Sequence, residues 1–180
     1  MSRNLTGTEL KRLHREWRRR TPARLSLVVD GVQGPFNIGA LIRTAAAERV
    51  DHIWFAGGAT TPTNTKVGKT ALGTDRYVPW SAPDTTATAI AEARHACYVV
   101  VGVELADGAK PLHELELRGD ICLVIGHEDR GLAKSTLDEC DRLGFIPQLG
   151  KVASLNVATA ASIAIYEARR QAWQDGSDGS

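Results

Sequence analysis

Three short segments of this 180-residue chain hold side chains whose types and spacing could do chemistry. The first is Asn37-Ile-Gly-Ala-Leu-Ile-Arg43. Asn37 is placed to cap a helix, accepting amide hydrogens that otherwise lack partners. Arg43 has Gly39, Ala46 and Ala47 as its helical neighbours, so its guanidinium stands over a smooth surface with no adjacent acid. Such a surface admits a bulky anion such as a phosphodiester, although a helix arginine paired with a distant carboxylate fits the same pattern. The second is Gly126-His-Glu-Asp-Arg-Gly131, directly after the apolar run ICLVI. Glycines at the carboxyl end of a buried strand let a ligand approach the backbone. The loop is not a Walker A motif, because Leu132-Ala133 stands where Lys-Ser/Thr is required. The third runs from Gly144-Phe-Ile-Pro147 to Ser154-Leu-Asn156, a strand, an irregular loop and a helix start that Ser154 or Asn156 can cap.

A different kind of signal lies ahead of these segments. Residues 1–24 contain eight Lys and Arg against two Glu, a local charge of +6, whereas the whole chain sums to +1. Thr6 and Glu9 have capping-box spacing. Leu10, Leu13 and Trp17 fall on one side of the helix so begun, and basic residues cover the rest. Six net charges on a short helix favour contact with phosphates over a merely solvated face, with Lys11, Arg12, Arg15, Arg18 and Arg19 as the contacting residues. Trp17 lies on the apolar stripe and reads as a packing anchor.

The elements that must position these residues follow from the apolar runs. Leu25–Asp30, His52–Ala56, Cys97–Glu104 and Ile121–Ile125 lack alternation, as strands covered on both faces do. Tyr77–Trp80 and Gly144–Pro147 are expected as short strands. Helices are expected over Ile38–Arg49, Thr85–His95, Leu132–Cys140 and Val157–Trp173, with a polar loop carrying a short helix at 59–76. This alternation predicts an α/β fold with a mainly parallel sheet flanked by helices. The closing helix is apolar almost all round, which predicts burial in the core or against a partner. The divisions expected are a basic helical arm at 1–24, one domain at 25–173 and a disordered tail at 174–180.

Composition excludes several classes. No run approaches the roughly 20 apolar residues of a membrane span. The polar, basic start has no apolar core of a secretory signal. Cys97, Cys122 and Cys140 form no CxxC pair and read as small buried thiols of a reducing, cytoplasmic setting. His127-Glu128 has no second ligand cluster nearby, so no metal is expected. The absence of a GxSxG elbow removes support for a hydrolase.

NIGALIRTA (37–45), LVIGHEDRG (123–131) and GFIPQLGKVASLNVATAASIAIYEA (144–168) together resemble the SpoU/TrmH family of the SPOUT superfamily, over residues 25 to about 172. The resemblance implies an α/β fold with a deep C-terminal trefoil knot and an active site shared across a homodimer. It also implies methyl transfer from S-adenosylmethionine to an RNA ribose 2′-hydroxyl. Arg43 matches the catalytic arginine, with Asn37 and Glu128 assisting. Val103, Gly126, Gly131, Ile146, Ser154, Leu155 and Asn156 match cofactor-holding positions, largely through backbone. His127 departs from the asparagine common at its position. An arginine pKa above about 12 favours orientation and charge stabilisation over a role as base. A short member with a basic arm, without the extra N-terminal domain of many rRNA-directed relatives, looks more like the tRNA methylators. The expected substrate is therefore tRNA before rRNA, with Lys66 and Lys69 as further backbone contacts. The competing classes are a non-catalytic RNA-binding module and a small-molecule enzyme using the Gly126 loop for phosphate.

Overall fold

The run Leu25–Asp30 forms β1, and all but its terminal acid are buried, as its lack of alternation requires. In the computed structural model, which describes residues 2–152 and 154–175, six further strands join it. They are β2 (His52–Ala56), β3 (Trp80–Ser81), β4 (Val99–Val103), β5 (Lys110–Pro111), β6 (Ile121–Ile125) and β7 (Arg142–Phe145). Their order is β3-β2-β1-β6-β4-β7-β5, with every pairing parallel. The helices are α1 (Gly7–Arg19), α2 (Pro35–Ala47), α3 (Thr65–Ala71), α4 (Thr86–His95), α5 (Lys134–Asp138) and α6 (Val157–Asp175).

Side chains alternate across the sheet and build two cores. Leu27, Val29, Ile53 and Leu123 meet Ile38, Leu41 and Ile42 of α2 and Ala161, Ala164 and Ile165 of α6. On the other face Val28, Trp54, Val100 and Val124 meet Ala89, Ile90 and Ala93 of α4. Helices α2 and α6 lie side by side, tied midway by the hydroxyls of Thr44 and Ser162 at 3.0 Å. At their far end the buried Arg169 guanidinium donates to the carbonyls of Glu48, Arg49 and Ala23 at 2.9, 2.6 and 2.7 Å.

Several expectations change. Residues Thr74–Tyr77 form a 3₁₀ turn, so the expected strand Tyr77–Trp80 shrinks to Trp80–Ser81 at the sheet edge. The expected helix Leu132–Cys140 is only the five residues of α5. Cys97 is exposed, whereas burial pushes the Cys122 thiol up to about 12 and the half-buried Cys140 up to about 11. Helix α6 buries one face and leaves Ile163 and Tyr166 41% and 56% exposed, so this chain does not enclose it on its own. Gln174 and Asp175 continue α6 rather than starting a tail, and 176–180 lie outside the described residues.

Candidate active site

Helix α2 starts with Pro35 at its first position, where the fixed φ suits a helix and the missing N–H costs nothing. Gly34 is therefore the cap, and it has no side chain to satisfy the open amides. Glu128 supplies that function from the 126–131 loop. Its Oε1 accepts from the Gly34 amide at 2.8 Å and from Asn37 Nδ2 at 3.2 Å, and its Oε2 accepts from the Gln33 amide at 3.2 Å. Burial pushes this carboxyl up, but the N–H donors outweigh it and hold Glu128 below the usual carboxylate range. Its charge also faces the positive end of the helix.

Asn37 is thus in the first turn of α2 and does not cap it, contrary to the sequence reading. It is a bridge instead. Asn156 Nδ2 donates to Asn37 Oδ1 at 2.8 Å, while Asn156 Oδ1 accepts from the amides of Ala158 and Thr159 at 3.0 and 3.2 Å. Glu128, Asn37 and Asn156 consequently join the loop after β6, the start of α2 and the start of α6. All three sequence motifs meet at this junction.

The 126–131 loop is closed by its own backbone. The His127 and Gly131 residues exchange amide–carbonyl bonds of 3.3 and 3.0 Å. A Cβ on Gly126 would lie 2.6 Å from the Leu132 nitrogen, so only glycine fits. Gly131 has φ +61° and packs against the Glu104 carboxylate. Glu104, at the end of β4, accepts from the amides of Leu105 and Leu132 at 3.1 and 3.0 Å. Sequence reasoning passed over Glu104, although an acid immediately after a buried strand is a recognisable signal.

Beside this loop, at the carboxyl ends of β4, β6 and β7, lies a cleft of about 390 Å³. Val103, Gly126, Gly131, Ile146, Ser154 and Leu155 all line it. Asn156 does not, because its side chain is turned to Asn37 and the α6 amides. The walls are apolar at Ile125, Ile146 and Leu155, acidic at Glu104, Glu128 and Asp129, and basic at Arg130.

Arg43 does not reach this cleft in its own chain. It is exposed on α2, six residues and about 9 Å of helix axis beyond Asn37. The smooth surface expected around it is partly filled: a Cβ on Gly39 would lie 2.6 Å from Thr70 Cβ and 2.9 Å from the Val67 carbonyl oxygen, so α3 packs there. Lys66 and Lys69 are exposed on α3. In the arm, Thr6 and Glu9 form the expected capping box. Lys11, Arg12, Arg15, Arg18 and Arg19 are all exposed, and α1 has no buried residue. Trp17 does anchor the helix, 5.0 Å from Trp173, yet stays 42% exposed. Among the described residues no cluster of three or more His, Cys, Asp or Glu is placed to hold a metal, and no helix is long and apolar enough to cross a membrane.

The profile of the SpoU rRNA Methylase family matches residues 24–166. A 23S rRNA (guanosine-2'-O-)-methyltransferase RlmB of Xylella fastidiosa is 38% identical over 147 residues, 82% of this chain and 59% of the relative. The chain spans about three-fifths of the length of the curated relatives it matches. An AdoMet-bound rRNA methyltransferase from Sinorhizobium meliloti superposes with a TM-score of 0.77 at 31% identity, covering 82% of this chain and 56% of that one. A structure described as giving insight into 2-OH methylation of C/U34 on tRNA has a TM-score of 0.73 at 33% identity, covering 83% and 97%. By profile, sequence identity and fold, the chain belongs to the SpoU rRNA methylase family.

Proposed function

We propose that the chain transfers the methyl group of S-adenosylmethionine to a ribose 2′-hydroxyl of RNA. The observation that carries this reading is the cleft beside the Gly126 loop, held by the Glu128–Asn37–Asn156 junction. The cleft fits the cofactor. Its volume is within the range of about 300–1,000 Å³ usual for small-molecule pockets, its apolar walls suit an adenine, and its charged lining, Glu104, Glu128 and Asp129 against Arg130, is net negative and suits a cationic centre. When bound, the cofactor supplies a methyl group already activated on a sulfonium.

The residues of the chain then have to align and assist. Gly126 and Gly131 keep the loop backbone close to the cleft, while Val103, Ile146 and Leu155 exclude water from it. Arg43 orients the nucleotide and stabilises negative charge on its 2′-oxygen as the hydroxyl proton passes to solvent, the O–C bond forms and the S–C bond breaks to leave S-adenosylhomocysteine. Because Arg43 is remote from the cleft of its own chain, it serves the cleft of a partner in a homodimer. The exposed Ile163 and Tyr166 on α6 support such an interface. Glu128 is a positioning residue: a carboxylate held by three N–H donors is a poor proton acceptor, and it fixes Asn37 instead.

Further parts of the reading are a trefoil knot made by the segment between β7 and α6, an RNA-contacting arm at 1–24 and a cytoplasmic setting. The curated relatives named for 23S rRNA make rRNA the first substrate to test, ahead of the tRNA favoured from sequence. The likeness to the structure concerned with C/U34 of tRNA keeps tRNA as the second. Purified protein incubated with S-adenosylmethionine and either RNA should yield a 2′-O-methylated nucleoside by mass spectrometry. No product on either RNA would refute the proposal.

A further inference from the structure

At the end of the molecule opposite the cleft, a groove of about 410 Å³ separates α1 from the body. One wall is His14, Trp17 and Arg18 of α1; the other is the end of α2 with Arg49, together with Arg169 and Trp173 of α6. The wall is rigid. Trp173 Nε1 donates to Thr21 Oγ1 at 2.8 Å, its ring meets Trp17 at 5.0 Å, and Tyr166 braces it from behind at 5.7 Å. Arg169 locks the junction through three carbonyls, which take three of its five N–H groups. Arg18 and Arg49 are exposed and, among the described residues, neither is paired with a carboxylate. Glu48 is the one acid on the lining.

An aromatic surface flanked by unpaired guanidinium groups is the combination that holds an unpaired nucleotide, with the base on the ring and the phosphate on the cations. We infer that this groove binds one single-stranded nucleotide of the RNA, stacked on the part of Trp17 left exposed between Trp173 and the Arg20 guanidinium, which lies 5.6 Å from the ring centroid, and held at its phosphate by Arg18 and Arg49. The inference rests on the reading of the chain as acting on RNA. Most of the lining, namely His14, Trp17, Arg18, Thr21, Arg169 and Trp173, lies outside residues 24–166 matched by the family profile, so the groove belongs to this chain's own ends. Charge complementarity selects a polyanion, because the lining carries Arg18, Arg49 and Arg169 against the single acid Glu48.

The test uses the full chain and oligouridylate as a single-stranded probe. Bound probe should quench tryptophan fluorescence, and Trp17→Ala should weaken binding roughly tenfold. Because that change could loosen α1, Arg49→Gln on the body is the second variant. It should lower the slope of log affinity against log salt by about one while leaving S-adenosylmethionine binding unchanged. Unchanged slope and quenching in both variants, with methyl transfer intact in the wild type, would overturn the groove alone. A shift of the monomer–dimer equilibrium without any change in probe binding would assign the groove to a second copy and also overturn it. Absence of methyl transfer with the slope still lowered by Arg49→Gln would overturn the enzymatic reading and sustain the groove.

Discussion

The two ends of the α2–α6 pair are built differently. At the carboxyl ends of the strands, Glu128, Asn37, Asn156 and Glu104 each bond to a backbone amide or to one another at 2.8–3.2 Å, and glycines sit where a Cβ would collide. At the other end α1 has no buried residue and reaches the body through Trp17, while its cations stay in solvent. The first end is preorganised, as a site that aligns a small cofactor must be. The second carries its charge on exposed side chains, which suits attraction of a polyanion whose contacts are individually weak and screened by salt. The contrast predicts that changes at the cleft end act on chemistry and folding, and that changes at the arm end act on RNA affinity.

The largest effect should come from Arg43→Ala. On the proposed role of Arg43 in stabilising the reacting oxygen, its loss should cut methyl transfer at least about a hundredfold, with cofactor affinity within a few-fold by calorimetry. Normal turnover by that variant would remove Arg43 from the mechanism. Next, replacing Lys11, Arg12, Arg15, Arg18 and Arg19 together by Gln should flatten the salt dependence of RNA binding by up to about one slope unit per lost contact. Thermal stability should barely move, because none of these side chains is buried. A large loss of stability would break the contrast.

Gly126→Ala should do the reverse. Its Cβ would overlap the Leu132 nitrogen, so unfolding free energy should fall by about 2–3 kcal/mol and cofactor binding with it. Oligouridylate affinity should be kept under conditions where the variant is folded.

The smallest effect concerns Glu128. Its folded pKa is depressed, so its stabilisation is complete at neutral pH and is lost as pH falls through the folded value. Glu128→Gln should therefore cost about 1–2 kcal/mol at pH 7 and reduce the acid dependence of stability in denaturant titrations. If Glu128→Gln instead abolished turnover at unchanged stability and cofactor affinity, the carboxylate would be a reacting group rather than a positioning one.

Much of the arrangement was legible in local sequence. The strands Leu25–Asp30, His52–Ala56 and Ile121–Ile125 have the expected bounds, because doubly covered strands leave continuous apolar runs. Thr6 caps the helix expected after it, and Thr85, expected as the first residue of its helix, is the cap. The motif residues around the cleft were legible as glycines and short polar side chains at element ends. What local sequence does not carry is the long-range partner. The cap of α2 comes from Glu128, 91 residues beyond Asn37, so Asn37 was assigned a role that another segment fills. The bare strip at Gly39 looked open because α3, which covers it, follows from tertiary packing. Likewise Tyr77 sits in a 3₁₀ turn although its neighbours have strand-like composition, since only two residues find the sheet edge.

The division of labour between the two ends can be tested most directly by titrating S-adenosylmethionine into the full chain and into the fivefold arm variant by calorimetry. Saturable binding with equal affinity in both is the predicted result. No binding to either, or binding that disappears when the arm charges are removed, would contradict the assignment of the cofactor to the cleft.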